Sequence, residues 1–185
     1  MIRQLFWLAL IIICAAVLYG WFDMAEPDAP RSGPNQLVPD YIAYNVTQTS
    51  YDANGQRISK VAASQMLFFN QLEQVQFERP AFTLFDQQTP RWQATSEQGV
   101  WFEGNRVILE QNVEVENLHS DELFRKIQSQ QLEMALDSQI LQTQQPVKIL
   151  GQGFIIDGKG IRADLVSQKM QLFKHQGTVY QHAKN

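Results

Sequence analysis

Apolar residues follow two different patterns along this chain. Leu5 to Phe22 (LFWLALIIICAAVLYGWF) carries no charge over 18 residues. The run predicts a helix about 27 Å long, close to the hydrocarbon thickness of a bilayer. Trp7 near one end, and Tyr19, Trp21 and Phe22 near the other, stand where interfacial aromatics do. Arg3 precedes the run, and Asp23, Glu26 and Asp28 follow it. The positive-inside rule then puts residues 1–4 in the cytoplasm and the rest of the chain outside. A cleaved signal peptide is the first rival reading, but its only candidate cut, after Ala25, has Asp23 two residues earlier. A lipoprotein signal would need a small residue before Cys14, where Ile13 stands. A buried core helix is usually shorter and amphipathic. An uncleaved single-span anchor over 5–22 is the expectation.

The second pattern has period two. Residues 23–40 read as an extended linker with Pro27, Pro30, Gly33, Pro34 and Pro39. Strand signals dominate from Tyr41 to the end. Ile42, Tyr44 and Val46 alternate with smaller or polar residues, and Asn54-Gly55 is a strong hairpin signal. Val107 and Leu109, then Val113 and Val115, continue the alternation. Gly151, Gly153, Gly158 and Gly160 predict turns or bulges between short strands. SQMLFFNQLEQV and DELFRKIQSQQLEMAL fit a helical period less well than a strand period. In FERPAFTLFD both faces are apolar apart from Thr83, although a half-exposed strand would put polar groups on its second face.

A weak echo links Val61-x-Ala63, Trp92-x-Ala94, Ile127-x-Ser129 and Ile161-x-Ala163, about 31 to 35 residues apart. It suggests stacked units, each a pair of short antiparallel strands, and hence a long, narrow all-β domain over 41–185. That domain would be a jelly roll or an open twisted sandwich.

Composition removes several functions. Net charge is −4, only 18% of residues are charged, and no basic stripe exists to neutralise phosphates, so no nucleic-acid partner is expected. The single cysteine, Cys14, lies in the apolar run, so the β domain has neither disulfide nor thiol chemistry. Glu97 with Glu103, or Glu114 with Glu116, are the carboxylate pairs a glycosidase would need, yet all sit where solvated charge is expected. His119, His175 and His182 lack metal-ligand spacing. No Walker, GxSxG or dinucleotide motif occurs. No enzyme activity, metal or cofactor is expected, and Asn45-Val-Thr is too common a pattern to carry meaning.

The many large apolar residues, among them Phe68, Phe77, Phe82, Trp92, Trp101 and Phe154, have two readings. They fill a sandwich, or they line an apolar groove for a lipid chain. FDMAEPD after the apolar run, YDANG, FERPAFTLFD, PRWQATSEQGVWFEGNRVILEQNVEVEN and VKILGQGFIIDGKGIRADLVSQ together resemble the LptC family of lipopolysaccharide export components. The resemblance covers essentially the whole chain and rests on the order of these stretches. It implies an open antiparallel β-jelly roll with a V-shaped cross-section, anchored in the bacterial inner membrane by one helix, with the β domain periplasmic. It implies an LptB/LptF/LptG ABC transporter and an LptA-type bridge protein as partners, with lipopolysaccharide acyl chains held in the groove. Resemblance and alternation together nominate Val46, Phe77, Met170 and Tyr180 as groove residues. The bridge partner would dock at the C-terminal edge: Thr178, Val179, Tyr180 and Gln181 after a turn at Gly177, with Gly151 and Gly153 as hinges. The alternative is a membrane-tethered scaffold with a filled core that recruits a partner and carries no lipid.

Overall fold

The computed structural model describes residues 37–119 and 123–180, and the β domain begins at Pro39. The anchor run, most of the linker, Gln181 and His182 lie outside the described residues. Among the described residues no helix is long and apolar enough to cross a membrane.

Eleven strands form one antiparallel sheet. They are β1 (Tyr41–Tyr51), β2 (Arg57–Phe69), β3 (Gln74–Glu78), β4 (Ala81–Asp86), β5 (Thr89–Thr95) and β6 (Gln98–Phe102), then β7 (Arg106–Asn117), β8 (Phe124–Ala135), β9 (Ile140–Gly151), β10 (Phe154–Asp164) and β11 (Lys169–Tyr180). β2 pairs along its whole length with β1, and on its other side with β4 over Ser59–Ala62 and with β3 over Gln65–Phe69. β3 pairs β6, β4 pairs β5, and β5 and β6 share β7. The short strands therefore join end to end as two broken rungs. With the seven long strands they make a ladder of nine rungs, β1 at one edge and β11 at the other.

Each rung bends near its middle. Left-handed backbone marks the bend at Asn45, Arg79, Gln111, Asn112 and Gly160, and register shifts mark it in β7, β8 and β10. The extra residues of such bulges kink the strand. Backbone bonds stitch neighbouring bends together: the Arg79 amide donates to the Glu97 carbonyl (2.8 Å), and the Glu97 amide to the Gln111 carbonyl (3.0 Å). The bends divide the ladder into two facing walls. Phe77 of the first wall meets Phe82 of the second edge-to-face at 5.9 Å, and Trp101 stands 6.3 Å from Phe82.

The strand reading of SQMLFFNQLEQV and DELFRKIQSQQLEMAL holds over 64–69, 74–75 and Phe124–Ala135, with a 3-10 turn at Asn70–Leu72. Other expectations need correction. Ile42 and Tyr44 do not share a face with Val46, because the left-handed Asn45 between them reverses the alternation. Val46 sits opposite the buried Ala63, while Tyr44 is 68% exposed. Gly177 makes no turn but lies within β11, opposite Asp157. Gly158 and Gly160 are bulge positions inside the continuous β10. The second face of FERPAFTLFD is explained locally. The chain slips register between Leu84 and Phe85, and the buried Phe85 ring lies 4.7 Å beneath the Arg57 guanidinium, which also donates to Gln88. Ala63, Ala94, Ser129 and Ala163 of the echo are all buried, on every second rung, so the unit is a pair of rungs as expected.

Candidate functional site

The space between the walls is the feature with the most chemistry to offer. One inward row of the first wall crosses all nine rungs by direct pairing. It starts with Tyr41, Phe68, Val75 and Trp101 and continues through Val107, Met134, Leu141, Ala163 and Met170. The facing row of the second wall runs from Gln48 through Val61, Phe82, Ala94 and Val115 to Ile127, Ile149, Ile156 and Thr178. Alternation alone produces these rows, because every second side chain of an extended rung points inward. Sixteen of the eighteen positions are apolar or aromatic; only Gln48 and Thr178, both on edge rungs, are polar.

Burial varies along the rows. Val107, Met134, Leu141 and Ala163 are 0% exposed, so the middle rungs of the two walls pack directly on one another. Toward β1 the first wall opens: Trp101, Val75 and Phe68 are half-buried and Tyr41 is 58% exposed. A pocket of about 330 Å³ lies there, lined by Phe68, Val75, Trp101 and Gln48, with Glu73 and Glu103 among its polar residues. Toward β11 the last two rungs open, with Ile156 of β10 and Met170 and Thr178 of β11 half-buried.

The four nominated groove residues do not form one cluster. Val46 is half-buried at the β1 end of the second wall. Phe77 is 3% exposed in the aromatic cluster with Phe82 and Trp101. Met170 packs on the core at one end of β11, and Tyr180, 73% exposed, ends the same strand opposite Phe154. They are spread along the cleft, toward its two ends. Phe68 and Trp101 stand among the large apolar residues of the sequence without a place in the groove, and Val75 and Gln48 carry no sequence signal; what finds all four is their place on or facing the inward rows, which needs the register.

Both edges are pairable. Among the described residues β1 pairs only with β2, and β11 only with β10. Thr178, Val179 and Tyr180 lie on the β11 edge. Gly151 closes β9, where a Cβ atom would collide with the Phe154 ring, and Phe154 stacks edge-to-face on Phe124 at 6.0 Å. Gly153 forms the following turn at φ +77°.

The polar candidates have ordinary partners. Glu97 accepts from Asn112, and Glu114 from Lys126 (3.0 Å) and Gln128 (2.6 Å). The Gln128 amide first and Lys126 second hold the Glu114 carboxyl below its usual range. The His175 ring stands 2.8 Å from the Thr178 hydroxyl. Among the described residues no group of His, Cys, Asp and Glu could hold a metal.

Known proteins share this chain and this fold. Lipopolysaccharide export system protein LptC of Haemophilus influenzae is 22% identical, over 96% of this chain and 93% of its own length. Its namesake in Escherichia coli K12 is also 22% identical, over 95% and 93%. Pseudomonas aeruginosa LptH, described as the LptA-homologous periplasmic component of a lipopolysaccharide transport device, has a similar fold. It aligns with a TM-score of 0.52 and 11% identity, over 63% of this chain and 82% of that one. The profile of the family described as lipopolysaccharide-assembly, LptC-related matches residues 8–181, and the chain belongs to that family.

Proposed function

We propose that this protein carries lipopolysaccharide between an inner-membrane transporter and a periplasmic bridge, holding the acyl chains between its two walls. The observation that carries the reading is the pair of inward rows, apolar through the middle rungs and opening at both pairable edges. Each acyl CH₂ exposed to water costs about 0.8 kcal/mol, which an apolar cleft removes without a chemical step once its packed middle rungs part to admit the chains. The family and the names of its relatives fit lipopolysaccharide as cargo. Leu5–Phe22 would anchor the chain in the inner membrane, with the β domain in the periplasm. The β1 end would meet an LptF-type domain of the LptB/LptF/LptG transporter. The β11 edge, at Thr178 to Gln181, would take an LptA-type strand by β-augmentation, with Gly151 and Gly153 shaping the approach. ATP hydrolysis would belong to the transporter.

The scaffold reading has one observation in its favour: Phe77 and Phe82 are buried as tightly as any core residue. A photoreactive side chain separates the two. In the transport reading, position 77 captures lipopolysaccharide in cells, and position 78, on the opposite face of β3, does not. Capture at neither position, with the protein folded, would establish the scaffold. Capture equal at both would overturn the assignment of faces.

A further inference from the structure

Outside the cleft, the bend itself carries two troughs. On the outer face of the second wall, Glu114, Gln128, Lys148 and Asp157 stand in one cross-strand row over β7 to β10. They flank a trough of about 420 Å³ whose lining also includes Gln130 and Gln176. Just across the bend, a trough of about 270 Å³ is lined by Gln131, Gln142, Gln144 and Gln145, with Glu133 as its one charged residue. Amides thus concentrate on both sides of the bend over the same rungs.

The charged groups of the larger trough are already paired. Glu114 bonds Lys126, which stands outside the lining, at 3.0 Å, and Lys148 stands 3.7 Å from Asp157. A phosphate would meet the carboxylates of Glu114 and Asp157, and a cation would meet the Lys148 ammonium and carboxylates that already have partners. An acyl chain would take Gln130 and Gln176 out of water with nothing to bond, a desolvation loss for each. The chemistry left over is an uncharged ligand with many hydroxyls, each able both to donate and to accept. Primary amides match that dual character because each presents two donors and one acceptor. The larger trough is at the lower end of the size range of small-ligand sites.

We infer that the amide-lined bend is a binding site for a neutral saccharide, one or two pyranose units in the larger trough. No aromatic ring lines either trough to stack on a sugar face, so affinity is millimolar and the contact brief. This site is independent of what lies between the walls.

The test is a titration of the full ¹⁵N-labelled chain in a sugar-free zwitterionic detergent. Maltotriose and chitotriose are added separately to tens of millimolar, with inorganic phosphate as the charged control. The side-chain amide signals of Gln130 and Gln176 should shift and saturate with at least one saccharide, while the Trp101 indole signal stays put. The Gln130→Ala, Gln176→Ala double variant should bind about fivefold or more weakly, as expected for a lost hydrogen-bond partner, with its other resonances unchanged. Saturation by maltotriose alone would assign plain hexose chains, such as the sugar part of a glycolipid. Saturation by chitotriose would assign N-acetylated glycans. Absence of saturable shifts with both, equal binding by the double variant, or phosphate binding of similar strength would each overturn the inference.

Discussion

The β1 end of the cleft stands open across the inward residues of four rungs, whereas the β11 end closes within two. The same alternation builds both ends. At β11, Leu172 lies over Gly158, where a Cβ atom would stand 2.7 Å from its methyl groups, so a missing side chain lets the last rung settle on the core. At β1 the last rung of the second wall contributes Gln48 and the half-buried Val46, so the mouth beside Phe68, Val75 and Trp101 is faced in part by an amide. The edges differ too. β1 contains no charged residue, while β11 carries Lys169, Lys174 and His175. Charge on an edge strand discourages unintended pairing, so β1 is the less protected edge. A cleft made of one repeated rung can thus be given two different ends by changing only its terminal strands.

The largest effect that would test this contrast is on stability. Phe82→Ala removes a ring that is 0% exposed and touches both walls, so unfolding should cost about 3–5 kcal/mol less. Phe68→Ala, in the open mouth, should cost well under half of that. Urea unfolding of both variants measures the difference, and equal losses would mean that the β1 end is packed as tightly as the middle.

Next comes the closed end. Gly151→Ala drives a methyl group into Phe154 and should destabilise by about 1–3 kcal/mol, as overpacking does. Adding Phe154→Ala should recover part of that loss, which a double-mutant cycle reads directly. Purely additive losses would mean that the glycine serves the chain path and not the ring.

A lysine on the unprotected edge should act on assembly more than on folding. Thr47→Lys should leave the melting temperature within a degree or two, because Thr47 is exposed. If the proposed transport role holds, it should weaken co-purification with an LptB/LptF/LptG-type transporter while sparing an LptA-type bridge protein. Loss of the bridge partner instead would exchange the roles of the two edges.

The smallest effect is electrostatic. The lowered Glu114 carboxyl stabilises the fold above the ordinary glutamate value of 4.5, and that contribution fades as pH falls through its lower folded value. Lys126, raised mainly by its bond to Glu114, contributes below the ordinary lysine value and loses its effect only as pH climbs past its higher folded value. Both contributions are present at neutral pH. The pair is partly exposed, so Glu114→Gln should cost at most about 1 kcal/mol at pH 7 and almost nothing in strong acid. Calorimetry at the two pH values checks the sign.

Much of this was legible in the sequence. Period-two alternation, Asn54-Gly55 and the 31-to-35-residue echo reach the all-β class and the paired unit, because those signals are local. The bends were not legible. A left-handed Asn45, Gln111 or Asn112 carries no mark that separates it from an ordinary polar strand residue, yet each one reverses which side chains face inward. For that reason alternation alone groups Ile42 and Tyr44 with Val46, from which the left-handed Asn45 separates them. Gly177 read as a turn because glycine is a common breaker, although here it sits in a paired strand. The mouth residues Phe68, Val75 and Trp101 lie on three strands and meet only through register, which no single stretch encodes.

The ladder order has a kinetic consequence. From Arg106 to Tyr180 every strand pairs with the next in sequence, so this part closes only hairpin-sized loops. The first half must instead bring β2 to β4 and β5 to β7 across intervening strands before its broken rungs hold. Short loops close faster than long ones, and local pairing speeds folding. The C-terminal meander, although it comes later in the sequence, is therefore the part best able to order first. Pulse-labelled hydrogen exchange during refolding should find β8 to β10 protected ahead of β3 and β6, with the mouth at β1 the last region to take shape.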